Sequence, residues 1–450
     1  IFIMHTSTTL ASYVIVLLMA LTQNLPGQVL NDPLNEYIKL ALEHNGSIKE
    51  QQAWVNEKKA GVAVAKKLWS PEISFGGNYT LAAGGRSIGF PIGDLLNPIN
   101  SELNRITQTS RFPTLENQKI QFLPNNFYDL RARLTQPILR PEIKTNQLLK
   151  EEQVHQQEIQ TRITGRDLIR DVKKAYYQYI QAGKMIDILK QSLIILDESE
   201  RISRSMITNG VALPSSILRL QAERSKINTQ IFSAQNQQKD AKEYFNYLVG
   251  RSAGEDIDLI PLVSLPDPAM YSEEIKTEEL HTIDQGLRMQ QLALDLQKKY
   301  HAPRLGAQLD VGSQNFNFQW GGYVLAGLQL DIPLWNNKKN EAQQSEVIAG
   351  MQAISEKKKY VSEGISLLLQ QARRQLITAI DQYQSYTPLL DMSKRYYYEI
   401  LKKFKEGQAN PAELIDAQSQ ITFADLQQNV SLYQAWINAA ELERLTLDKQ

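Results

Sequence analysis

The sequence predicts a mainly α-helical protein that carries membrane β-strands, built from a duplicated strand–long helix repeat. Three observations predict it. The first is a helical run of roughly 70 residues from Asn336 to Glu406, about 105 Å at 1.5 Å per residue if unbroken. The second is that the same layout is written twice at a nearly constant offset. The third is a set of four short segments in which small or polar residues alternate with apolar ones, the period of a strand with two different faces.

The long run follows the strand Tyr323–Ile332, which Pro333 ends because it has no N–H to give and fixes its own φ. Gly350 and Gly364 are its only glycines and Pro388 its only proline. Val347, Met351, Ile354, Val361, Ile365, Leu368, Ala372, Leu376, Ala379, Tyr383, Tyr386 and Leu390 succeed one another at steps of three, four or seven. That spacing is what packing against neighbouring helices requires. The seam continues past Pro388, so a kink is expected there and not a stop. Lys357–Lys359, Arg373, Arg374 and many glutamines lie between the seam positions, so the opposite side is wet.

In chain order, residues 1–27 read as a signal peptide: Leu10 to Leu21 is a short apolar run, and Leu25-Pro26-Gly27 a processing zone. No cysteine follows that run, so a lipid-bearing cysteine is not expected. Residues 28–250 form a first repeat: a helix from Asp32 to Trp69, a strand over Ile73–Leu81, a long loop from Gly84 to Asn126, a strand from Tyr128 that stops at Pro137, and a helical hairpin. The hairpin runs from Ile143 to Asn209, turns at Gly210 and Pro214, and ends near Gly250. Residues 251–271, with Gly254, Pro261, Pro266 and Pro268, mark a linker or equatorial segment. Residues 272–450 form the second repeat: a helix to Tyr300, a strand over Leu305–Val311, the strand before Pro333, the long helix, and a second turn at Gly407 and Pro411.

The two halves keep register. Pro137 and Pro333, the expected strand-to-helix transitions, stand 196 apart (333 − 137), and the turn residues Gly210/Gly407 and Pro214/Pro411 stand 197 apart. Constant offsets require long helices of matched length, since each inserted residue would rotate the contacts by about 100°. Pro388 has Gln191 as its counterpart, so only the second long helix should kink there.

Several function classes drop out. Lys+Arg 49 against Asp+Glu 49 leaves no net charge and no argument for nucleic acid. The absence of cysteine removes disulfides, thiolate nucleophiles and cysteine-bound metals together. His5, His44, His155, His281 and His301 lack metal-ligand spacing. Gly85-Arg-Ser-Ile-Gly89 matches a nucleophile elbow in letters, but Phe90-Pro91 and no helix is read after it. No phosphate-binding loop occurs, so no cofactor and no enzymatic activity is expected, and any energy source belongs to a partner. Tyr396–Tyr398 and Trp436 read as packing aromatics.

Four strands of about ten residues with one apolar face suit a tilted transmembrane β-strand. They cannot close a barrel alone, and open edges are not tolerated in lipid, so a membrane role demands oligomerisation. The other reading is a soluble hairpin capping each helical hairpin. At this point the layout resembles the TolC-like outer-membrane efflux protein family over essentially the whole chain after the signal segment. The motifs that carry the resemblance are Leu134-Thr-Gln-Pro137, Leu330-Asp-Ile-Pro333, the turn from Gly407 to Gln418, the helix end Tyr247-Leu-Val-Gly250, and the opening Leu34–Asn45. The resemblance implies a homotrimer with a trimeric α-helical barrel in the periplasm and a twelve-stranded transmembrane β-barrel, four strands per protomer, in the outer-membrane lipid of a Gram-negative cell. It implies a passive exit duct of a tripartite efflux or type I secretion system, with a periplasmic adaptor (membrane fusion) protein and an inner-membrane transporter as partners. The long loop would face outside. The competing reading is a structural periplasmic coiled-coil or adaptor protein without a pore; that would need a compact β-rich domain beside its hairpin, which the sequence does not offer.

Glu413 and Asp416 lie one turn apart on the last helix, so their carboxylates share a face. By resemblance they fall at the acidic ring of the periplasmic pore entrance, where three copies would favour cations. Asn410-Pro-Ala-Glu413 is also a capping arrangement, so cap and pore readings both stand for Glu413. The first-half counterpart of Asp416 is Arg219 (416 − 197). Two readings of these charges are open: a closed-state pair near the turn, or two separately solvated groups.

Overall fold

A computed structural model describes residues 33–123, 125–210, 213–259, 264–271 and 277–446. The expected signal segment 1–27 and the first residues of the helix expected from Ser272 lie outside the described residues. Among the described residues, eight α-helices and six strands follow in order: α1 (Pro33–His44), α2 (Gly46–Lys67), β1 (Glu72–Thr80), β2 (Ser87–Phe90), α3 (Ile92–Thr107), β3 (Gln118–Gln121), β4 (Phe127–Leu139), α4 (Pro141–Thr208), α5 (Ser215–Val249), α6 (Glu278–Lys298), β5 (Arg304–Phe316), β6 (Gly322–Asp331), α7 (Lys339–Lys405) and α8 (Pro411–Thr446). The two long helices have 68 and 67 residues, and the helices after them 35 and 36. The chain forms two compact units, each drawing on both repeats: one takes residues up to Trp54, Gln157–Thr282 and those from Lys358 on, the other Val55–Gln156 and Ile283–Lys357.

The first unit is helical. Its main core joins Tyr37, Ile38 and Ala41 of α1, Val172 and Tyr176 of α4, and Phe245 and Val249 of α5. Tyr37 meets Phe245 edge-on with ring centres 5.1 Å apart, a favoured aromatic geometry. The segment after α5 is strapped over this core. Asn246 donates to the carbonyls of Ala253 (3.1 Å) and Glu255 (2.8 Å), and Tyr176 donates to that of Asp258 (3.2 Å).

On α7, Ile365, Leu369, Ala372, Leu376, Ala379, Leu390, Ser393, Tyr397, Ile400 and Phe404 are buried, and Tyr383 and Tyr386 half-buried. These positions alternate steps of four and three, a strict seven-residue repeat. The seam uses Leu369; Leu368, read from sequence as a seam residue, is exposed because it sits one step, about 100°, off the stripe. The helix runs without interruption through Pro388, so the proline costs a hydrogen bond but does not end the element.

The first helical stretch, expected as one helix from Asp32 to Trp69, breaks at Asn45. Asn45 is buried; its Oδ1 accepts from the Ser47 N–H (2.8 Å) and its Nδ2 donates to the Leu248 carbonyl (2.8 Å). Capping and tertiary bonding by one side chain decide the break, and Gly46 simply opens α2.

The second unit holds an antiparallel sheet of order β1-β4-β5-β6. Its register puts Ile73, Leu134, Leu309 and Ala326 in one row, and Phe75, Ala132, Val311 and Val324 in the next row of the same face. The other face carries Ser74, Arg133, Asp310 and Leu325, then Gly76, Arg131, Gly312 and Tyr323. Contrary to the expected stop at Pro137, β4 runs on to Leu139, with a register shift between the two. An irregularity in the ladder is where a residue without an N–H is tolerated. The transition to α4 therefore falls after Pro137, at Arg140-Pro141, whereas Pro333 does lie beyond its strand.

The expected long loop, Gly84 to Asn126, is instead a folded insertion: β2 pairs with β3, and α3 lies between them. Ile92, Leu95, Leu96, Ile99, Leu103 and Ile106 form a helical stripe that the glycines, prolines and asparagines hid. The asparagines hold the helix through tertiary bonds. Asn97 exchanges two hydrogen bonds with the Leu115 backbone (2.8 and 2.7 Å), Asn104 does the same with Phe112 (2.7 and 3.0 Å), and Asn100 donates to the Pro113 carbonyl (2.9 Å).

Gly250 closes α5 in the left-handed region (φ 79°), with Arg251 N donating to Asn246 O (2.8 Å) in a Schellman arrangement. A Cβ there would stand 3.1 Å from His44 Cβ. Gly250→Ala is expected to cost about 1–2 kcal/mol, read as a lower thermal unfolding midpoint, while Gly254→Ala, in open space, should leave the midpoint near the parent's.

Candidate functional site: the helical turns and the sheet

Both hairpin turns are built on a left-handed glycine. Gly210 has φ 74° and Gly407 φ 72°. At the second turn, Gly407 N donates to Phe404 O (3.0 Å) and Gln408 N to Lys403 O (2.8 Å), the Schellman pair that satisfies the last carbonyls of α7. Pro214 precedes α5, and Pro411 is the first residue of α8, where its missing N–H leaves nothing unmade.

Asn410 caps α8. Its Oδ1 accepts from Glu413 N (3.0 Å), and its Nδ2 donates to Glu413 Oε1 (2.9 Å). Glu413 thus engages its own cap, where an acid also suits the positive end of the helix dipole. Its side chain and that of Asp416 are exposed, while Leu414, Ile415, Ala417 and Gln418 between and beyond them are buried. The two carboxylates therefore share the wet face of α8.

Arg219 of α5 and Asp416 of α8 meet: Nη2 donates to Oδ1 at 2.7 Å. Both side chains are at least half exposed (50% and 62%), so the pair contributes little to stability, on the order of 1 kcal/mol or less. Its consequence is positional, since it ties the opening turns of two helices from different hairpins. Met206, Leu213, Ser216, Arg219, Ala409 and Glu413 line a cavity between the two turns.

A second link between the hairpins lies deeper. Gln418 Nε2 donates to the Ser192 carbonyl (2.7 Å), and Thr422 Oγ1 to Ser192 Oγ (2.9 Å), all on the α4–α8 contact. Sequence reading missed this bridge: a lone serine, glutamine and threonine on two helices have no spacing signal until the helices are docked. Within the first hairpin, Glu200 receives both Arg204 (2.6 Å) and Arg224 (2.7 Å). The Arg204 hydrogen bond, with that of Arg224, holds the Glu200 carboxyl below its ordinary value against a smaller desolvation effect.

The sheet is the other candidate site. Its apolar face is bare: Ile73 and Phe75 are each 77% exposed. The opposite face is polar and internally paired. Arg133 forks onto Asp310 (2.9 and 2.8 Å), Gln308 also donates to Asp310 (2.8 Å), and Asp129 takes Arg131 (3.1 Å) and the Tyr323 hydroxyl (3.0 Å). Aromatics bracket the apolar face. Tyr79 and Tyr128 stack on Phe318 with ring centres 5.1 and 5.6 Å apart, next to an exposed Trp320, and Leu334-Trp335 is exposed after the other end of β6. Aromatics at both ends of an apolar band are the pattern of a lipid-facing strand set. Among the described residues, β1 and β6 each lack a second neighbour in the sheet.

Among the described residues no cluster of metal-ligating side chains occurs, and no helix is long and apolar enough to cross a membrane. No family model matches the sequence, and no curated protein matches it. Solved structures do. The outer-membrane channel OprN aligns over 92% of this chain and 89% of its own length, with a TM-score of 0.72 and 14% identity. The Campylobacter jejuni CmeC outer membrane channel aligns over 92% and 85%, TM-score 0.72, at 12% identity. The outer membrane protein VceC from Vibrio cholerae aligns over 91% and 95%, TM-score 0.71, at 11% identity. The chain has the fold of these outer-membrane proteins, with long helices and a four-stranded sheet, and it is the fold that the resemblance to TolC-like channels implied.

A depressed carboxyl contributes stability above its unfolded value, about 4.3 for Glu, and loses it as pH falls through the lower folded value. Glu200→Gln should therefore lower the thermal midpoint at neutral pH. The deficit should shrink as pH falls through that acid window, which a melting series against pH reads directly.

Proposed function

We propose that this chain is the outer-membrane channel component of a tripartite export system, a passive duct whose driving force comes from an inner-membrane transporter. One observation carries the reading: a four-stranded sheet with a bare apolar face, a charged and internally paired opposite face, and two edges without neighbours. Lipid tolerates such a sheet only when its edges are paired. Three copies supply twelve strands, with apolar residues outward and Arg133, Asp310, Arg131 and Asp129 toward a wet lumen. The likeness in fold to OprN and CmeC, both outer-membrane channels, supports the same reading. A soluble protein would instead leave this contiguous apolar face in water, which soluble monomers rarely do.

In this reading the helical turns form the periplasmic entrance, where an adaptor protein and the transporter would engage. Glu413 and Asp416, repeated in three copies, place six carboxylates around it and favour cations. Asp416 also accepts Arg219, so the same residue serves the ring and a tie between hairpins. Opening the entrance would break that tie.

The native mass of protein extracted in detergent from outer membranes tests the assembly: a trimer resistant to mild SDS is expected, and a monomer recovered from the soluble periplasm would contradict it. Planar-bilayer recording tests the entrance. Arg219→Ala and Asp416→Ala should each raise resting conductance, and Asp416→Ala should also weaken cation preference. Unchanged conductance in both variants would remove the gating role of the pair and leave it as a surface contact.

A further inference from the structure

We infer that the β2–α3–β3 insertion is an interaction surface for a neighbouring copy of this chain, an inference that rests on the oligomeric reading above. The insertion has no core of its own: Gly93 is the only buried residue of α3. Leu95, Ile99 and Ile106 on the helix and Phe90, Ile120 and Phe122 on the hairpin are all exposed, Leu95 and Ile106 at 67%. Apolar surface on that scale marks a site that something else covers. What orders the insertion is polar. The Asn97, Asn100 and Asn104 amides fasten one side of α3 to the returning chain at 112–115, so the apolar stripe beside them remains free for an outside partner. Gly93 is where that return passes closest, since a Cβ there would lie 2.3 Å from the Leu115 carbonyl.

Two observations select a second copy over a lipid surface. The first is charge. Arg86, Arg105, Arg111 and Lys119 against Asp94, Glu102 and Glu116 leave a net +1 (four minus three), and Arg105 is bound to Glu102 on its own helix. Helices that lie on membranes combine an apolar stripe with a strongly basic polar face; α3 has one arginine, and it is neutralised. The second is continuity. The insertion leaves the sheet directly from β1, the strand whose outer edge has no neighbour and which the next copy must reach if the barrel closes. The surface nearest this stripe in the assembly is therefore protein. Packing the insertions on one another would give the outer mouth an apolar collar.

The chain has no cysteine, so single-cysteine variants of the full protein can carry a photoreactive benzophenone maleimide in outer-membrane preparations. Ile99→Cys and Leu95→Cys sit on the exposed stripe, Ser101→Cys on the far side of α3, and Ser74→Cys on the polar face of the edge strand β1. Illumination should give a dimer-mass adduct from Ile99→Cys and Leu95→Cys, severalfold stronger than from Ser101→Cys. Lipid adducts, or none, from the two stripe positions would overturn the inference while a dimer from Ser74→Cys upheld the oligomeric reading. Loss of dimers at all four positions would overturn both.

Discussion

The backbone of β1 and β6 sets the terms for the rest of the molecule. Each strand offers a row of N–H and C=O groups on an edge that no other described strand of the chain pairs. In lipid each orphaned group would cost several kcal/mol. A sheet of this width cannot curl onto itself, so the partner must come from outside. In the proposed membrane setting, that requirement makes the four-stranded sheet one portion of a larger closed object. The two chemically different faces suit this reading, because closure would give the sheet an inside and an outside. The fork of Arg133 onto Asp310 satisfies charges that could not face lipid.

The helical unit answers a different constraint. Long helices that pack through a strict seven-residue repeat must stay in register over many turns, and a single insertion would rotate every later contact. The matched lengths of α4 and α7, and of α5 and α8, preserve that register through the duplication. The seam is not wholly apolar. Ser192, Ser199 and Ser203 of α4 and Gln418 of α8 are buried, and Gln418 spends its amide on Ser192. Hydrogen bonds of this kind contribute about 1 kcal/mol each and can be exchanged for others as helices slide. Near the turns, then, polar bonds join the hairpins beside an apolar cluster in which Phe404 and Leu414 pack with Ile202 and Met206, and farther along Tyr433 of α8 enters the core of Val172, Tyr176 and Phe245.

Much of this was legible in the residues. Periodicity gave the long helices to within a few residues, since an uninterrupted stripe over so many turns leaves no competing structure. The constant offset identified Arg219 as the counterpart of Asp416, and the structure brings the two within 2.7 Å. Illegible parts share a cause. α3 is fixed by asparagine side chains bonded to a distant backbone, and the Asn45 break by a bond to Leu248; neither leaves a local period. Pro137 was misjudged as a strand end because a proline beside a ladder irregularity looks, in sequence, the same as one that ends a strand. Leu368 and Leu369 differ only in which lies on the stripe, and that depends on the phase of a repeat read backward from Phe404.

Edge closure is the central claim, and amide hydrogen exchange in the membrane-embedded protein reads it most directly. If neighbouring copies pair β1 to β6, the outward N–H groups of Glu72–Thr80 and Gly322–Asp331 will be protected to the same degree as those of the interior strands β4 and β5. Rapid exchange along both outer edges, beside slow exchange in β4 and β5, would mean that the sheet stays open, and the account of a closed barrel would be contradicted.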